Sequence, residues 1–244
     1  MKPILLIPAR MASTRLPGKP LAAIAGRPMI VRVWQQAVAA SLGPVVVAAA
    51  EPEIVAIIEA AGGKAVLTDP SLPSGSDRIF AALQAVDRDS QHDVVVNLQG
   101  DLPALAPEAI HAVVQALDRS GADIATLAAE IDNPADRDNP AVVKAVVAWE
   151  ADGRLGRALY FTRATAPTGE GPLFHHVGLY AYTRAALARF VGLPPSPLEK
   201  REKLEQLRAL EAHMSIAVAR VDRVPLSVDT PADLERAKRF FQTT

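Results

Sequence analysis

Short apolar runs alternate with longer amphipathic segments through the first half of the chain. Residues 4–7 and 45–47 are continuous apolar runs, which are typical of strands buried on both faces. Residues 30–38 carry apolar side chains at helical spacing, and Pro28 favours a helix start because its missing N–H is not needed there. The same pattern predicts further strands at 64–67, 93–98 and 123–130, and further helices at 52–61, 79–86 and 107–117.

This alternation of strands and helices predicts the α/β fold class. We expect a mostly parallel central sheet with helices on both faces, as in Rossmann-like folds, with right-handed crossovers. Ligands bind such sheets at the carboxyl ends of the strands. The loops that follow predicted strands are therefore the places where a functional site is expected.

The second half of the chain is less regular. Residues 142–149 and 154–161 flank a Glu-Ala-Asp-Gly turn and predict a β-hairpin. A strand is predicted at 177–182, a helix at 203–213, and a final helix after Thr230, which begins a good capping sequence. The chain is therefore predicted to be one domain that includes a small hairpin-containing subdomain.

Composition narrows the range of functions. The 244 residues are 50% hydrophobic, which is enough for a sizeable core, and the net charge of -1 disfavours binding to bulk nucleic acid or anionic membranes. The absence of cysteine excludes disulfides, thiolate nucleophiles and cysteine-type zinc sites. The N-terminal apolar run is too short for a signal peptide, and no stretch approaches the roughly 20 apolar residues of a membrane span. We expect a soluble, cytoplasmic protein.

The loop after the first strand, residues 8–20, is the strongest candidate site. Arg10, Arg15 and Lys19 place three cations close to one strand end, with Ser13 and Thr14 between them. Fixed positive charge and backbone N–H donors are what a triphosphate requires. The alternative is a solvated basic surface loop.

Other nucleotide and hydrolase motifs are absent. The loop is not a P-loop, because Pro20 stands where GxxxxGK[ST] requires serine or threonine after the lysine. GxGxxG, HExxH and GxSxG do not occur either. A loop-based phosphate site of another kind is the remaining prediction.

Two carboxylates are placed to complement this basic loop. Asp101 and Asp229 each end a predicted strand, so both should lie at the edge where the loop emerges. Such a pair can hold Mg²⁺ between phosphate oxygens. The alternatives are that Asp101 is a turn residue and that Asp229 caps the last helix.

The loop sequence PAR-x-x-STRLPGKPL resembles the opening motif of the sugar nucleotidyltransferases, and further motifs resemble the CMP-Kdo synthetases (3-deoxy-manno-octulosonate cytidylyltransferases). These motifs occur in the family's order along nearly the whole chain. They are SGSDR at 74–78, NLQGD at 97–101, YFTRA at 160–164, HVGLY at 176–180, SPLE at 196–199, EQLR at 205–208 and VDTP at 228–231.

The resemblance implies a Mg²⁺-dependent enzyme that transfers CMP from CTP to the anomeric hydroxyl of Kdo. The products would be CMP-Kdo, which serves lipopolysaccharide biosynthesis, and pyrophosphate, and the enzyme would be a homodimer. The alternatives are a cytidylyltransferase for another acidic sugar, such as a modified Kdo or sialic acid, and a non-catalytic nucleotide-binding protein.

The resemblance also implies residue roles. A hairpin insertion at about 142–182 would contribute to the sugar site and the dimer contact. Asp101 and Asp229 would hold the metal and, with the three cations of the loop, form the catalytic set. The nucleotide would bind to Ala9, Arg10, Ser13, Arg15, Lys19, Ser74, Arg78 and Gln99, and the sugar to Arg163, His176, Tyr180, Glu205 and Gln206.

From the residues alone, purely structural roles remain possible for several of these positions. Arg78 could form a surface ion pair with the preceding aspartate. His176 and Tyr180, which share one face of a predicted strand, could be ordinary core residues. Glu205 and Gln206 could lie on the solvated face of one helix.

The chain departs from the family pattern at two places. Leu102 follows Asp101 where the family commonly has an acidic residue, and Ala49-Ala50 stand where it often has Thr-Asp. The phosphate and metal residues are intact.

Overall fold

The computed structural model describes residues 1–13 and 15–243, except for the side chain of Thr243. Its contacts divide the chain into two compact units. The first unit contains Met1–Ile110 and the chain from Pro225 onward, and the second contains His111–Val224.

The first unit contains the parallel sheet that the apolar runs predict. Its strands are β1 (Pro3–Ala9), β2 (Ala23–Ile24), β3 (Arg27–Pro28), β4 (Val45–Ala49), β5 (Lys64–Leu67) and β6 (Val94–Asn97). The four longer strands pair in parallel in the order β5-β4-β1-β6, while β2 and β3 form a separate antiparallel pair. Residues 4–7 of β1 are at most 2% exposed, which agrees with a strand buried on both faces.

The helices follow the predicted positions more closely in the first unit than in the second. In chain order they are α1 (Met29–Ala39), α2 (Pro52–Ala60), α3 (Gly75–Val86), α4 (Pro107–Ser120), α5 (Pro134–Arg137), α6 (Arg184–Val191), α7 (Pro197–Glu202), α8 (Leu207–Glu211) and α9 (Pro231–Thr243). Helix α3 begins four residues before the predicted start, because the Ser74 side chain accepts a hydrogen bond from the Asp77 N–H and caps it. In the described part of the chain, no helix combines the length and apolar character of a membrane span.

The second unit is a mixed sheet. Its strands are β7 (Ile124–Glu130), β8 (Lys144–Trp149), β9 (Leu155–Thr162), β10 (Phe174–Thr183) and β11 (Ile216–Val221). They follow the order β10-β7-β11-β9-β8, in which only β7 and β11 pair in parallel. The predicted hairpin is present as β8–β9, whereas its part in a dimer contact stays a prediction.

Two local predictions in the second half are wrong. The helix predicted at 203–213 is interrupted, because Lys203 adopts a left-handed backbone (φ 56°) that ends α7, and α8 begins only at Leu207. Residues 224–229 form no strand, so Asp229 does not end one. Strand β11 and helix α6 were not predicted.

Candidate active site

A cavity of about 410 Å³ lies in the first unit, where the chain leaves β1 and β6. This is the carboxyl edge of the parallel sheet, at which ligands bind α/β folds. All eight residues predicted to bind nucleotide line the cavity, together with both predicted metal ligands. Pro8, Gly75 and Gly100, which stand in the motifs but were given no predicted role, also line it.

Lys19 connects the basic loop to both carboxylates. Its Nζ donates to Asp101 Oδ2 at 2.9 Å and to Asp229 Oδ1 at 3.0 Å, and Arg15 Nη2 lies 3.2 Å from the same Asp229 oxygen. Burial alone would lower the pKa of the Lys19 ammonium, but the two carboxylates outweigh burial and raise its pKa above the ordinary value. Lys19 is therefore charged at neutral pH, and both carboxylates face one cation.

The basic loop is held in place by backbone contacts. The Met11 N–H donates to Glu51 Oε2 at 3.0 Å, and the Met11 carbonyl accepts from the Gly18 N–H at 3.3 Å. Gly18 has a φ of 68°, a conformation that glycine adopts without strain, and it precedes a short 3-10 helix at Lys19–Leu21. Glu51 is a supporting residue that the sequence did not reveal, and Thr14 lies outside the described residues.

Asp229 is not the cap of the final helix. That role belongs to Thr230, whose hydroxyl accepts from the Asp233 N–H at 3.2 Å, while Asp233 Oδ2 accepts from the backbone N–H groups of Asp229 and Thr230. The Val228 N–H donates to the Asp101 carbonyl at 2.9 Å. An irregular segment is therefore fastened beside the loop after β6, and this places Asp229 opposite Lys19.

Arg78 is buried rather than paired at the surface. Its Nη1 donates to Thr68 Oγ1 at 2.6 Å and to the Asp69 carbonyl at 3.1 Å, while the Asp77 carboxylate accepts from Ser74 Oγ at 2.7 Å. Burial, followed by the charge of nearby Arg10, lowers the pKa of Arg78. Its Nη2 has no hydrogen-bond partner among the described residues. A buried donor that lines a cavity without a partner suits a ligand with an acceptor atom.

Gly100 allows the two strand-end loops to approach each other. A Cβ atom at this position would lie 2.8 Å from the Pro8 carbonyl oxygen, which is closer than side chains tolerate. A larger residue would therefore separate the loops that carry Arg10 and Asp101. The presence of glycine at this position of the NLQGD segment thus has a steric explanation.

The departures from the family pattern lie in the core. Leu102 is 6% exposed, so an acidic side chain at this position would need a buried partner. Ala49 and Ala50 are also buried, and the Ala49 carbonyl accepts from both the N–H and the hydroxyl of Thr68 at 2.8 Å. Ala49 therefore supports Arg78 through its backbone.

His176 and Tyr180 lie together in the second unit. Their ring centroids are 5.5 Å apart on β10, on either side of a β-bulge. Thr126 Oγ1 lies within 3.1 Å of the carbonyls of Val177 and Leu179 and 3.0 Å from His176 Nε2. Since the hydroxyl has one proton for those carbonyls, we assign the His176 proton to Nε2, which leaves Nδ1 as an acceptor.

We expect His176 to make the folded protein sensitive to mild acid. Burial, followed by His175, lowers the pKa of His176 to about 3. In the unfolded chain a histidine binds a proton as the pH falls below about 6.5, so stability decreases from there towards pH 3. At pH 5 this amounts to about 2 kcal/mol.

The test is urea unfolding of the wild type and His176→Asn at pH 7 and pH 5. The variant should lose about 2 kcal/mol less than the wild type between these two pH values. His213→Asn is the matched control, because His213 is exposed with a φ of 57° that asparagine tolerates. Equal pH dependence of the wild type and His176→Asn would contradict the expectation.

Arg163 is held by main-chain carbonyls of the second unit. Its Nε donates to the Glu202 carbonyl at 2.9 Å and its Nη1 to the Pro140 carbonyl at 3.0 Å. No hydrogen bond to its Nη2 is present among the described residues. The guanidinium is thus fixed on one side and available on the other.

Glu205 and Gln206 lie in the link between α7 and α8, not on the solvated face of one helix. Gln206 is 7% exposed, and its Nε2 has no hydrogen-bond partner in the described chain. Arg208 binds both carboxylate oxygens of Glu199, at 2.6 and 2.8 Å, and so ties the two ends of this link together.

Comparison with known proteins finds relatives over almost the full length. A 3-deoxy-manno-octulosonate cytidylyltransferase from Parvibaculum lavamentivorans is 66% identical over 236 residues, which cover 97% of this chain and 91% of the relative. A protein of the same name from Rhodospirillum centenum is 64% identical over 239 residues, covering 98% and 93%. A family profile described as Cytidylyltransferase matches residues 4–216.

The comparison with solved structures agrees with these sequence comparisons. The structure of CMP:2-keto-3-deoxy-manno-octonic acid synthetase complexed with CTP matches with a TM-score of 0.92 at 35% identity and covers 100% of this chain and 99% of its own. A 4-diphosphocytidyl-2C-methyl-D-erythritol synthase from Anaerococcus prevotii matches with a TM-score of 0.66 at 14% identity over 98% of each chain, and so shares the fold. The predicted α/β fold class is confirmed.

Proposed function

The chain belongs to the cytidylyltransferase family, and from this premise we propose that it transfers CMP from CTP to the anomeric hydroxyl of 3-deoxy-manno-octulosonate (Kdo). The observation that carries the proposal is the cavity of the first unit, where three cations and two carboxylates meet at the carboxyl edge of the sheet. Its volume of about 410 Å³ suits a small-molecule ligand.

The reaction needs charge stabilisation more than a dedicated base. The C2 hydroxyl oxygen forms a bond to the α-phosphorus, the bond from that phosphorus to the bridging oxygen breaks, pyrophosphate leaves, and the hydroxyl proton goes to solvent. Arg10, Arg15 and Lys19 neutralise the phosphate oxygens as charge moves towards the leaving group. Backbone contacts of Gly18 shape the loop, and ion pairs with Asp101 and Asp229 hold Lys19 in position before substrate arrives, which reduces reorganisation in the barrier.

The two carboxylates suit a divalent cation. Asp101 and Asp229 already direct one oxygen each at the Lys19 ammonium, so the pair is arranged around a positive charge. Mg²⁺ usually takes one or two protein carboxylates and completes its shell with phosphate oxygens and water. When bound, it would withdraw charge from the α-phosphate and lower the pKa of the attacking hydroxyl.

We expect a preference for CTP over UTP of at least about 10-fold in kcat/KM. The buried Arg78 offers only donors, and its Nη2 awaits an acceptor. N3 of cytosine is an acceptor, whereas N3 of uracil carries a proton. A guanidinium that faces N3 therefore pairs with cytosine and leaves uracil unpaired.

Pyrophosphate release with each nucleotide at a fixed Kdo concentration measures this preference. Arg78→Lys, which loses the planar fork, should reduce the CTP to UTP ratio. Arg88→Lys makes the same change at an exposed site and should leave the ratio unchanged. Equal turnover of CTP and UTP by the wild type would contradict the expectation.

The sugar is proposed to bind through residues of the second unit. Arg163 presents Nη2 to the Kdo carboxylate, for which guanidinium geometry is well suited. His176 is neutral at pH 7, because burial keeps its pKa near 3, and its Nδ1 can accept from a sugar hydroxyl. Tyr180, Glu205 and Gln206 add further groups for hydroxyl recognition.

Pyrophosphate release on mixing the protein with CTP, Mg²⁺ and Kdo tests the function directly. Release that requires Kdo supports the proposal, and absence of release under these conditions contradicts it. A parallel reaction with sialic acid tests the acidic-sugar alternative. The same proposal includes a homodimer, which sedimentation equilibrium would establish, a place in the cytoplasm where CTP is available, and a product that serves lipopolysaccharide assembly.

A further inference from the structure

Glu202, the last residue of α7, binds the Thr162–Arg163 segment with three acceptor atoms. Its Oε1 accepts from Thr162 Oγ1 at 2.8 Å, and its Oε2 accepts from the Arg163 N–H at 3.0 Å. Its main-chain carbonyl accepts from Arg163 Nε at 2.9 Å. The Glu202 carboxylate thus fixes the Thr162 hydroxyl and the Arg163 backbone, while the Glu202 main-chain carbonyl holds the guanidinium.

A second segment that holds Arg163, at Asn139 and Pro140, is anchored by a buried lysine. Lys144 is fully buried, and its Nζ donates to the Asn139 carbonyl at 2.7 Å, with a longer contact of 3.5 Å to the Arg163 carbonyl. The carbonyl of Pro140, next in the chain, accepts from Arg163 Nη1 at 3.0 Å. Two segments of the chain therefore hold the Arg163 guanidinium through Nε and Nη1, and Nη2 can donate to a ligand.

We infer that Glu202 is a positioning residue for recognition of the sugar carboxylate, acting through Arg163. The inference rests on the proposed function, in which Arg163 binds that carboxylate. A flexible arginine loses conformational entropy when it binds a carboxylate, whereas a guanidinium that is already oriented loses less. The expected benefit of Glu202 is therefore tighter sugar binding, without an effect on the nucleotide.

The geometry also explains why α7 ends where it does. Lys203 takes a left-handed backbone, and its N–H donates to the Glu199 carbonyl, so the helix stops directly after Glu202. The Glu202 carbonyl is left without a helical donor, as expected at a helix C-terminus, and Arg163 Nε takes that place. The last helical carbonyl and the guanidinium N–H are thus hydrogen-bonded to each other.

The test is the kinetics of Glu202→Ala, Arg163→Ala and the double variant, with KM for Kdo, KM for CTP and kcat measured separately. We expect Glu202→Ala to raise the Kdo KM by about 10-fold, with the CTP KM and kcat nearly unchanged. Glu202→Gln keeps one acceptor oxygen and should recover part of the loss. The double variant should have the Kdo KM of Arg163→Ala, because Glu202 acts through that residue.

Glu211→Ala is the matched control for a loosened helix. Glu211 Oε2 accepts from the Leu198 N–H at the other end of α7 and makes no bond to Arg163 in the described chain. The Glu211→Ala variant should have a lower urea midpoint and an unchanged KM for Kdo. If Glu202→Ala leaves the Kdo KM unchanged while Arg163→Ala raises it, or if the two effects multiply in the double variant, the inference is overturned.

The results that would contradict the proposed function differ from those that would contradict the role of Glu202. If the wild type released no pyrophosphate with Kdo, or if Arg163→Ala changed only the CTP KM, the assignment of Arg163 would fail first. A lower kcat and a higher KM for both substrates in Glu202→Ala, together with a lower urea midpoint, would also overturn the inference. Such a result would show a general structural role for Glu202.

Discussion

Replacing Asp101 or Asp229 with asparagine is expected to lower turnover by on the order of 10³-fold, while the fold persists. Asparagine keeps the shape of the side chain but removes the negative charge that attracts a divalent cation. The two carboxylates come from distant parts of the chain and meet at the Lys19 ammonium. Neither can take over the other's position, because the Val228–Asp101 backbone bond fixes their separation.

The measurement is pyrophosphate release at saturating CTP and Kdo across a Mg²⁺ titration. If both residues are ligands, higher Mg²⁺ should recover part of the activity in each single variant, and the double variant should be little worse than either. Wild type treated with EDTA should be equally inactive. Circular dichroism and urea unfolding establish that each variant is folded.

Asp93→Asn serves as the control for the loss of one carboxylate. Asp93 precedes β6 at the opposite end of the strand from Asp101 and binds the Lys2 N–H. It should leave both turnover and Mg²⁺ dependence unchanged. Near wild-type turnover of Asp101→Asn or Asp229→Asn at low Mg²⁺ would show that the residue concerned is not a ligand.

The parts of the fold that follow local rules were predicted from the sequence. The apolar run of β1 identifies a strand buried on both faces, and the capping sequence at Thr230 identifies the start of α9. The family named by the motifs is confirmed by relatives that are 66% identical to this chain over 236 residues and 64% identical over 239 residues. Continuous apolar runs and caps depend on neighbours in sequence, which a single chain displays.

The features that were missed depend on distant contacts. The burial of Arg78 depends on Thr68, ten residues away, and the orientation of the basic loop depends on Glu51, forty residues from Met11. At Lys203 a left-handed backbone ends α7 in spite of a good helical pattern, and Gln206 is buried in the link that follows. No periodicity or spacing carries such information.

The structure brings the predicted nucleotide and metal residues to one cavity, although one element expected to carry them is absent. Asp229 lies in the cavity although the strand that was expected to place it there is absent. An irregular segment held by the Val228 N–H brings it to the same edge. The motif therefore singled out Asp229, whose role as a metal ligand stays a prediction, while the reason for its position comes from the structure.

Lys19→Ala is expected to lower kcat on the order of 10²-fold, with a smaller effect on the KM for CTP. The Lys19 ammonium is half-buried between two carboxylates, which raise its pKa, so it stays charged throughout the pH range of the assay. A fixed charge that interacts more strongly with the leaving pyrophosphate than with bound CTP lowers the barrier, so its loss appears in kcat. Lys19→Arg keeps the charge and should recover part of the activity.

The ion pairs of Lys19 predict a second effect that does not depend on turnover. In the wild type the ammonium competes with any added cation for Asp101 and Asp229, at 2.9 and 3.0 Å. Among the described residues, its removal leaves the exposed Arg15 as the one cation paired with either carboxylate, so Mg²⁺ should bind the nucleotide-free Lys19→Ala protein more tightly than the wild type. Titration calorimetry measures this, with Lys64→Ala as the control because Lys64 is an exposed lysine of the same unit. Unchanged kcat would refute the catalytic role, and weaker Mg²⁺ binding would show that Lys19 assists the metal instead of competing with it.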